Sequence, residues 1–147
     1  MLKQSDLFWG MGKDFVKTAM EMSTKEMFDE KQSIFKEGDP ASAFYVLVKG
    51  RVQIALGENS REVYVAYQAG EIIGWSSLIG REILSATATC LEPTIVSRFD
   101  RDRFLENLEK HPSEEAMLFK RVAMTLGNRL VTIFNTLDNR ARPSIAA

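Results

Sequence analysis

The 147-residue chain is 45% hydrophobic and 27% charged, with a formal net charge of -1 at pH 7, which predicts one folded domain and excludes the basic composition typical of nucleic-acid-binding proteins. Its single cysteine, Cys90, and single histidine, His111, exclude a disulfide framework and a zinc site of Cys and His ligands within one chain. The N-terminus lacks the apolar core of a signal peptide and no apolar run approaches the ~20 residues of a membrane span, so we expect a cytoplasmic protein.

Residues 1–22 predict short N-terminal helices. Phe15 and Ala19 lie four positions apart, as on one face of a helix, and Gly10 and Gly12 interrupt the pattern. We therefore expect more than one short helix, split by these glycines.

Residues 23–99 predict a β-roll, because the hydrophobic period changes toward two and turn signals rich in glycine recur at short intervals. Many short strands joined by tight turns are typical of a sandwich or barrel. Gly50 lies between two alternating runs and predicts a hairpin there. The predicted strands cover residues 25–30, 33–36, 43–48, 51–56, 62–67, 84–90 and 94–99.

Residues 100–140 predict two helices. Asp100 is expected to cap the first, through Leu108, and Ser113 the second, through about Asn139. In the second helix, apolar residues recur at alternating steps of three and four, which predicts a coiled-coil homodimer; the alternative is a helix buried against its own domain. The stripe comprises Ala116, Phe119, Ala123, Leu126, Leu130, Ile133 and Leu137, with a second row at Met117, Met124, Val131 and Phe134.

The turn at residues 34–40, followed by the alternating run at residues 43–52, resembles the first half of the cyclic-nucleotide-binding domain family, which includes the sensor domains of catabolite-activator-type regulators. The resemblance covers nearly the whole chain, and the signature glycines of the family appear here as Gly38, Gly50 and Gly74. It implies a mainly β fold with flanking helices: a double-stranded β-helix of the jelly-roll or cupin-like type, with N-terminal helices and a long C-terminal helix. We expect residues 1–147 to form this single domain, without a DNA-binding domain.

In that family a phosphate-binding cassette holds the nucleotide, and the resemblance places it at residues 74–87. The family pattern is a Gly-Glu pair, a short apolar helix and an Arg nine residues after the Glu. Gly74 keeps the glycine, whereas Trp75 replaces the Glu and Leu84 replaces the Arg. The Arg pairs with the cyclic phosphate and the Glu accepts a hydrogen bond from the ribose, so losing both weakens binding roughly a hundredfold or more. We therefore expect cyclic AMP to bind in the millimolar range or not at all.

The candidate ligand-binding residues come from this cassette and from the final helix. They are Gly74, Trp75, Ser76, Ser77, Leu78, Arg81, Leu84, Ser85, Ala86, Thr87, Asn128 and Thr132. Arg81 either supplies the missing positive charge or is a solvated loop residue. Trp75 either stacks on a ligand ring or fills the pocket. Asn128 and Thr132, one helical turn apart, are either a polar latch over the ligand or a solvent-facing pair.

The sequence therefore predicts a regulatory ligand-sensing module. Its small-molecule effector would be a cyclic nucleotide (cyclic AMP or cyclic GMP) or another small anion, and its signal would leave through the C-terminal helix. The alternative is a degenerate domain that binds no nucleotide and acts in dimerisation or protein interaction. No Ser-His-Asp set can be assembled around His111, so we expect no catalysis. We also expect no metal, membrane or direct nucleic-acid partner, whereas a separate protein partner stays open.

Overall fold

The structure, a computed structural model, describes residues 7–141. In this part a turn at residues 7–10 precedes helix α1 (Lys13–Met22). The sequence predicted several short helices here, and the described residues contain one. The reason is Gly10, whose φ of +78° turns the chain out of helical geometry while the preceding residues, Leu7 and Phe8, are buried in the core. The first six residues of the predicted helical segment lie outside the described part.

The strands of the described part form two four-stranded antiparallel sheets, ordered β1-β8-β3-β6 and β2-β7-β4-β5. Their bounds are β1 (Thr24–Phe28), β2 (Ser33–Phe35), β3 (Ala43–Lys49), β4 (Val52–Leu56), β5 (Arg61–Ala66), β6 (Ile72–Ile73), β7 (Thr87–Cys90) and β8 (Thr94–Asp100). Two facing sheets with flanking helices confirm the predicted mainly β fold of the jelly-roll type.

Two strand predictions and the predicted hairpin need correction. The hairpin at Gly50 does not form, because the chain crosses there from one sheet to the other: β3 and β4 lie in different sheets. The strand predicted at residues 84–90 begins only at Thr87, because the backbone of Leu84 is hydrogen-bonded to the loop between β2 and β3 and not to a neighbouring strand. The two-residue strand β6 was missed, because it is too short to show an alternating pattern. It pairs with β3, with Ile73 opposite Tyr45 and Ile72 opposite Val46.

The first core lies between the two sheets. The rings of Phe35 and Tyr45 stack in it, 5.9 Å apart, and Leu84 of the predicted cassette belongs to the same cluster. Cys90 is buried there too, as is common for an unpaired cysteine, and burial raises the pKa of its thiol. This core carries the inner wall of the cassette.

The second core lies between the helices and the outer face of the β1-β8-β3-β6 sheet. Phe44 and Phe99 stack with ring centroids 4.9 Å apart, and the Phe104 ring meets Phe44 edge-on. Leu118 and Val122 of the last helix are completely buried in the same cluster. This core therefore ties the last helix to the roll.

Helices α2 (Arg101–Glu109) and α3 (Pro112–Ala141) follow the last strand. The predicted cap of α2 is present: the amide of Arg103 donates to the Asp100 carboxylate over 3.0 Å. The predicted cap of α3 is wrong, because that helix already begins at Pro112. Proline suits the first helical position, where its missing N–H has no intrahelical acceptor, so Ser113 lies inside the first turn.

The apolar stripe predicted on α3 does not face one environment. Phe119 and Leu126 pack partly against the second core, whereas Leu130 and Leu137 are 49% and 45% exposed. Leu118, which lies outside the predicted stripe, is the residue of α3 that packs deepest. The first half of the helix is thus covered by its own domain and the end is not.

Candidate ligand-binding site

The predicted cassette begins at Gly74, directly after β6. Gly74 has a φ of +81°, a left-handed conformation that favours glycine, and a Cβ there would lie 3.3 Å from Cε2 of Phe35. The chain then forms one turn of 3-10 helix, Trp75–Leu78, in which the Ser77 hydroxyl donates to the Gly74 carbonyl over 3.0 Å. The backbone conformation at position 74 therefore favours glycine, and a larger residue would also press against the Phe35 ring.

The second half of the cassette is held by the loop between β2 and β3. The amide of Leu84 donates to the Asp39 carbonyl over 2.8 Å, and the Leu84 carbonyl accepts from the Gly38 amide over 2.9 Å. The amide of Glu37 donates to the hydroxyl of Thr87 over 2.9 Å. These bonds fix the backbone of position 84 with its side chain inside the first core.

A small cavity of about 30 Å³ lies between the two halves of the cassette. It has room for about one water molecule. The hydroxyl oxygens of Ser76 and Ser85 are 3.3 Å apart across the cassette. The side chain of Leu84 is only 4% exposed and fills space at the position of the family's arginine. The cavity is lined by Phe35, Ile54, Gly74, Trp75, Ser76, Leu84, Ser85, Ala86 and Arg129.

Half of the predicted site residues line this cavity: Gly74, Trp75, Ser76, Leu84, Ser85 and Ala86. Of the others in the cassette, Ser77 and Leu78 are buried, and Leu78 packs in the second core. Thr87 is engaged by the Glu37 amide. Arg81 is exposed and is not among the residues that line the cavity.

The two predicted residues of α3, Asn128 and Thr132, are exposed, and the Thr132 hydroxyl donates to the Asn128 carbonyl over 3.1 Å. They line a second, larger cleft of about 540 Å³ rather than the small cavity. This cleft lies between α3, the N-terminal turn and the chain from β5 to β6. Its lining comprises Leu7, Trp9, Gly10, Tyr64, Gln68, Gly70, Glu71, Ile72, Met117, Lys120, Arg121, Met124, Thr125, Asn128, Arg129 and Thr132.

Arg129 lines both the cavity and the cleft, and the sequence prediction missed it. Its Nη2 donates to the Ile72 carbonyl and lies 3.8 Å from Oε1 of Glu71. Its guanidinium carbon lies 4.8 Å from the ring centroid of Tyr64, a cation–π distance. Its side chain is only 11% exposed. The last helix is thereby anchored to β5 and β6 through one buried cation.

The negative charge of Glu71 offsets the positive charge of Arg129, and both carboxylate oxygens of Glu71 accept hydrogen bonds. One carboxylate oxygen accepts from the Tyr64 hydroxyl and faces Arg129, and the other accepts from the amides of Tyr67 and Gln68, each over 2.8 Å. The side chain of Glu71 is also only 11% exposed. A buried ion pair with this many hydrogen bonds holds its members in one geometry.

Burial, the hydrogen bond to the Glu71 carboxylate and the negative charge of Glu71 together raise the pKa of the Tyr64 hydroxyl to about 12, against the opposing effect of Arg129. Tyr64 is therefore a neutral hydrogen-bond donor at physiological pH. Its donation orients the carboxylate that faces Arg129.

A signal for Arg129 was available in the sequence. It is a lone charged residue between Leu126 and Leu130, next to the polar pair that was selected on α3. A charge within an apolar stretch of a packed helix needs a partner. The apolar stripe on α3 was assigned by heptad spacing instead, and heptad spacing cannot show which residue of a helix faces the roll.

Comparison of this sequence with known protein families shows to which family the chain belongs. The sequence pattern described as the cyclic nucleotide-binding domain matches residues 25–111, which is more than half of the chain. The chain belongs to the cyclic nucleotide-binding domain family. The match spans the cassette and both sheets, and ends before α3.

Similar proteins carry the domain in different settings. The chain is 26% identical over 132 residues to the cyclic AMP receptor protein of Thermus thermophilus, covering 88% of this chain and 59% of that protein. It is 36% identical over 87 residues to a cGMP-dependent protein kinase of Eimeria tenella, covering 57% of this chain and 8% of the kinase. The chain therefore spans about three fifths of the first relative and a small part of the second.

A solved cyclic nucleotide-binding domain from Methylobacillus flagellatus has the same fold as this chain, with a TM-score of 0.78 at 18% identity. The alignment covers 93% of this chain and 79% of that one. Within residues 7–141, no helix is both long and apolar enough to cross a membrane.

Proposed function

We propose that this domain is a regulatory, non-catalytic sensor that works in the cytoplasm and binds a cyclic nucleotide or another small anion where the cassette meets α3. The observation that carries the proposal is the cleft of about 540 Å³ between α3, the N-terminal turn and the chain from β5 to β6, which is not lined by the cassette but adjoins its cavity at Arg129. Its size falls within the ~300–1,000 Å³ typical of ligand pockets. Arg129 connects its lining to that of the cassette cavity.

The cassette favours weak rather than tight binding of cyclic AMP or cyclic GMP. Its cavity of about 30 Å³ is far smaller than a ligand pocket, because the side chain of Leu84 is buried in it. A nucleotide can enter only after Leu84 or the half-buried Trp75 moves. We therefore retain the expectation that cyclic AMP binds in the millimolar range or not at all. The relatives named for cyclic AMP and cGMP support these two nucleotides as the first to test.

We expect the signal to pass from the cassette to α3 through the short strand β6 and one hydrogen bond. Arg129 on α3 donates to the carbonyl of Ile72 in β6, and β6 leads within two residues to Gly74, where the cassette begins. A ligand that moves the cassette pulls on β6, and hence on α3. The predicted latch of Asn128 and Thr132 lies beside this contact, along the cleft.

A second function, homodimerisation, is favoured by a separate observation. Leu130, Val131, Phe134 and Leu137, near the end of α3, are between 45% and 57% exposed. Four large apolar side chains on one exposed stretch of helix are typical of a protein-protein contact. We propose that a second copy covers them, in agreement with the heptad spacing of the stripe.

The test of ligand binding restores the two family residues together. In the Trp75→Glu, Leu84→Arg variant, cyclic AMP affinity should rise roughly a hundredfold over that of the unmodified protein, because two polar contacts are regained. The matched control is Trp75→Gln with Leu84→Met, which has similar side-chain sizes without the charges. Titration calorimetry measures all three proteins.

Hydrogen exchange on the unmodified protein completes the test, with cyclic AMP, cyclic GMP or inorganic phosphate added at saturating concentration. Protection of residues 74–87 and 128–132 by any of the three supports a sensor. If none of the three protects these segments, and the restored variant also fails to bind, the ligand-sensing proposal is wrong and the dimerisation module remains.

A further inference from the structure

The guanidinium of Arg129 is only partly used by the protein. Its Nη2 is engaged by the Ile72 carbonyl and faces Glu71, but its Nε is completely buried and has no hydrogen-bond partner among the described residues. A buried N–H without an acceptor is costly, and native proteins rarely leave one unpaired. The Nε of Arg129 is therefore an unused buried donor, which a water molecule or a ligand oxygen can engage.

The position of Arg129 indicates what that acceptor is. Among the described residues that line the cassette cavity, it carries the one charge, and its neighbours there include the hydroxyls of Ser76 and Ser85. The position where the family carries its arginine holds the buried Leu84. A cation and two serines around one cavity suit the oxygens of an anionic group once Leu84 or Trp75 moves, because the cavity of about 30 Å³ otherwise holds about one water molecule.

We propose that Arg129 is the anion-binding residue of this domain, and that its Nε donates to an oxygen of the anionic group of the effector. The cation thus comes from α3 instead of the cassette. This inference rests on the proposed ligand-sensing function. It identifies the ligand class as one with a single negative charge, such as a phosphodiester or a carboxylate, because Glu71 already neutralises the guanidinium in part.

The contact would also couple binding directly to α3. In the family's arrangement, an arginine of the cassette itself pairs with the ligand's charge. Here the same side chain would hold the ligand, the Glu71 carboxylate and the Ile72 carbonyl. An anion that attracts the guanidinium weakens its pairing with Glu71, so occupancy changes how α3 is held on the roll.

The experiment compares cyclic AMP with adenosine, which has the same base and ribose but no phosphate. NMR titration follows the side-chain Nε–Hε resonance of Arg129, assigned by its absence in the Arg129→Lys variant. Cyclic AMP should shift this resonance and adenosine should not. In Arg129→Met, the affinity for cyclic AMP should fall about tenfold to a hundredfold, to that for adenosine, as expected for the loss of a charge-assisted hydrogen bond.

Glu71→Gln is a second variant with the opposite expectation. It keeps Arg129 and one oxygen that can accept from Tyr64, and it removes the carboxylate charge that competes for the guanidinium. Its NH2 group cannot accept from the amides of Tyr67 and Gln68, so some loss of stability is expected as well. It should raise the affinity for cyclic AMP severalfold and leave that for adenosine unchanged. A purely structural ion pair would give lower stability without any gain in affinity. This variant keeps the test valid if Arg129→Met unfolds when Glu71 loses its cation.

The outcomes separate the two proposals. If the unmodified protein binds cyclic AMP and adenosine equally, or if Glu71→Gln leaves the cyclic AMP affinity unchanged and the Arg129 resonance does not shift, the role of Arg129 is wrong while ligand sensing stands. If the unmodified protein binds neither cyclic AMP, cyclic GMP nor inorganic phosphate, and the Trp75→Glu, Leu84→Arg variant also fails to bind, both proposals are wrong.

Discussion

Two halves of α3 have similar apolar spacing and different surroundings. In the first half, Leu118 and Val122 are completely buried against the roll, and Arg129 closes the contact with an ion pair. In the second half, Leu130 and Phe134 are 49% and 57% exposed. The difference arises because the β-roll ends near Arg129 while the helix continues to Ala141. An apolar stripe on a helix therefore indicates that the helix is covered. How far the adjacent β-roll extends determines which part of the helix its own domain covers.

The largest expected effect comes from a cavity in the first half. Leu118→Ala should reduce the free energy of unfolding by about 2–5 kcal/mol, because the side chain is fully buried and its removal leaves unfilled space. The matched control is Leu130→Ala, at a half-exposed position on the same helix, which should cost less than about 1 kcal/mol in the protomer. Urea unfolding measures both. Equal losses would contradict the division of α3 into a packed half and an uncovered half.

The second half is tested by oligomeric state. Changing both Leu130 and Leu137 to Glu should convert a dimer to a monomer while leaving the protomer folded, since neither side chain is buried in its own domain. Leu126 was a candidate for the same test on sequence grounds, but it packs partly against the second core, so changing it would also affect folding. Light scattering during gel filtration gives the mass, and circular dichroism controls for folding. A monomeric unmodified protein at hundreds of micromolar would exclude the dimer.

The boundary between the halves lies near Gly127, and Gly127→Ala should stabilise the helix by about 1 kcal/mol. A Cβ at this position meets no atom within 4 Å, so the change adds no clash. If the end of α3 is the output element, the variant should also slow hydrogen exchange at residues 124–133 and reduce the change in exchange when a ligand is added. Identical exchange with and without every ligand that binds would show that this helix does not carry the signal.

Features that depend on local sequence could be predicted, whereas features that depend on contacts between distant residues could not. Alternating residues and turn glycines predicted most strands within one or two positions, because each depends on its own pattern. The cassette was located by its glycine and by the family resemblance, and six of its residues line the cavity. Arg129 could not be placed, because its partners Glu71 and Tyr64 lie more than fifty positions earlier and only the fold brings them together.

The same long-range effect explains the role of Leu84. The sequence showed that the family's arginine is absent and left open whether a neighbouring cation replaces it. Arg81, the candidate nearest in sequence, is exposed, whereas Arg129, forty-five positions after Leu84, lines the cavity. Distance along the chain is a poor guide to the distance between side chains in a fold rich in long-range strand pairing.

The smallest expected effect concerns the hydroxyl that orients Glu71 at the junction of the two halves. Tyr64→Phe removes the donor to Glu71 and should lower the free energy of unfolding by about 1 kcal/mol near neutral pH. The folded-state pKa of Tyr64, about 12, lies above its ordinary value of 10.0, so the folded protein holds this proton more tightly than the unfolded chain does. Its contribution is therefore complete below about pH 10 and is lost as the pH rises through about 12. The stability difference between the unmodified protein and Tyr64→Phe should accordingly shrink above about pH 10 in urea unfolding.

Tyr67→Phe is the matched control, since Tyr67 is 58% exposed and lies only three positions away. A difference that stays constant from about pH 8 to pH 12 would mean that the Tyr64 hydroxyl does not support the Glu71–Arg129 pair.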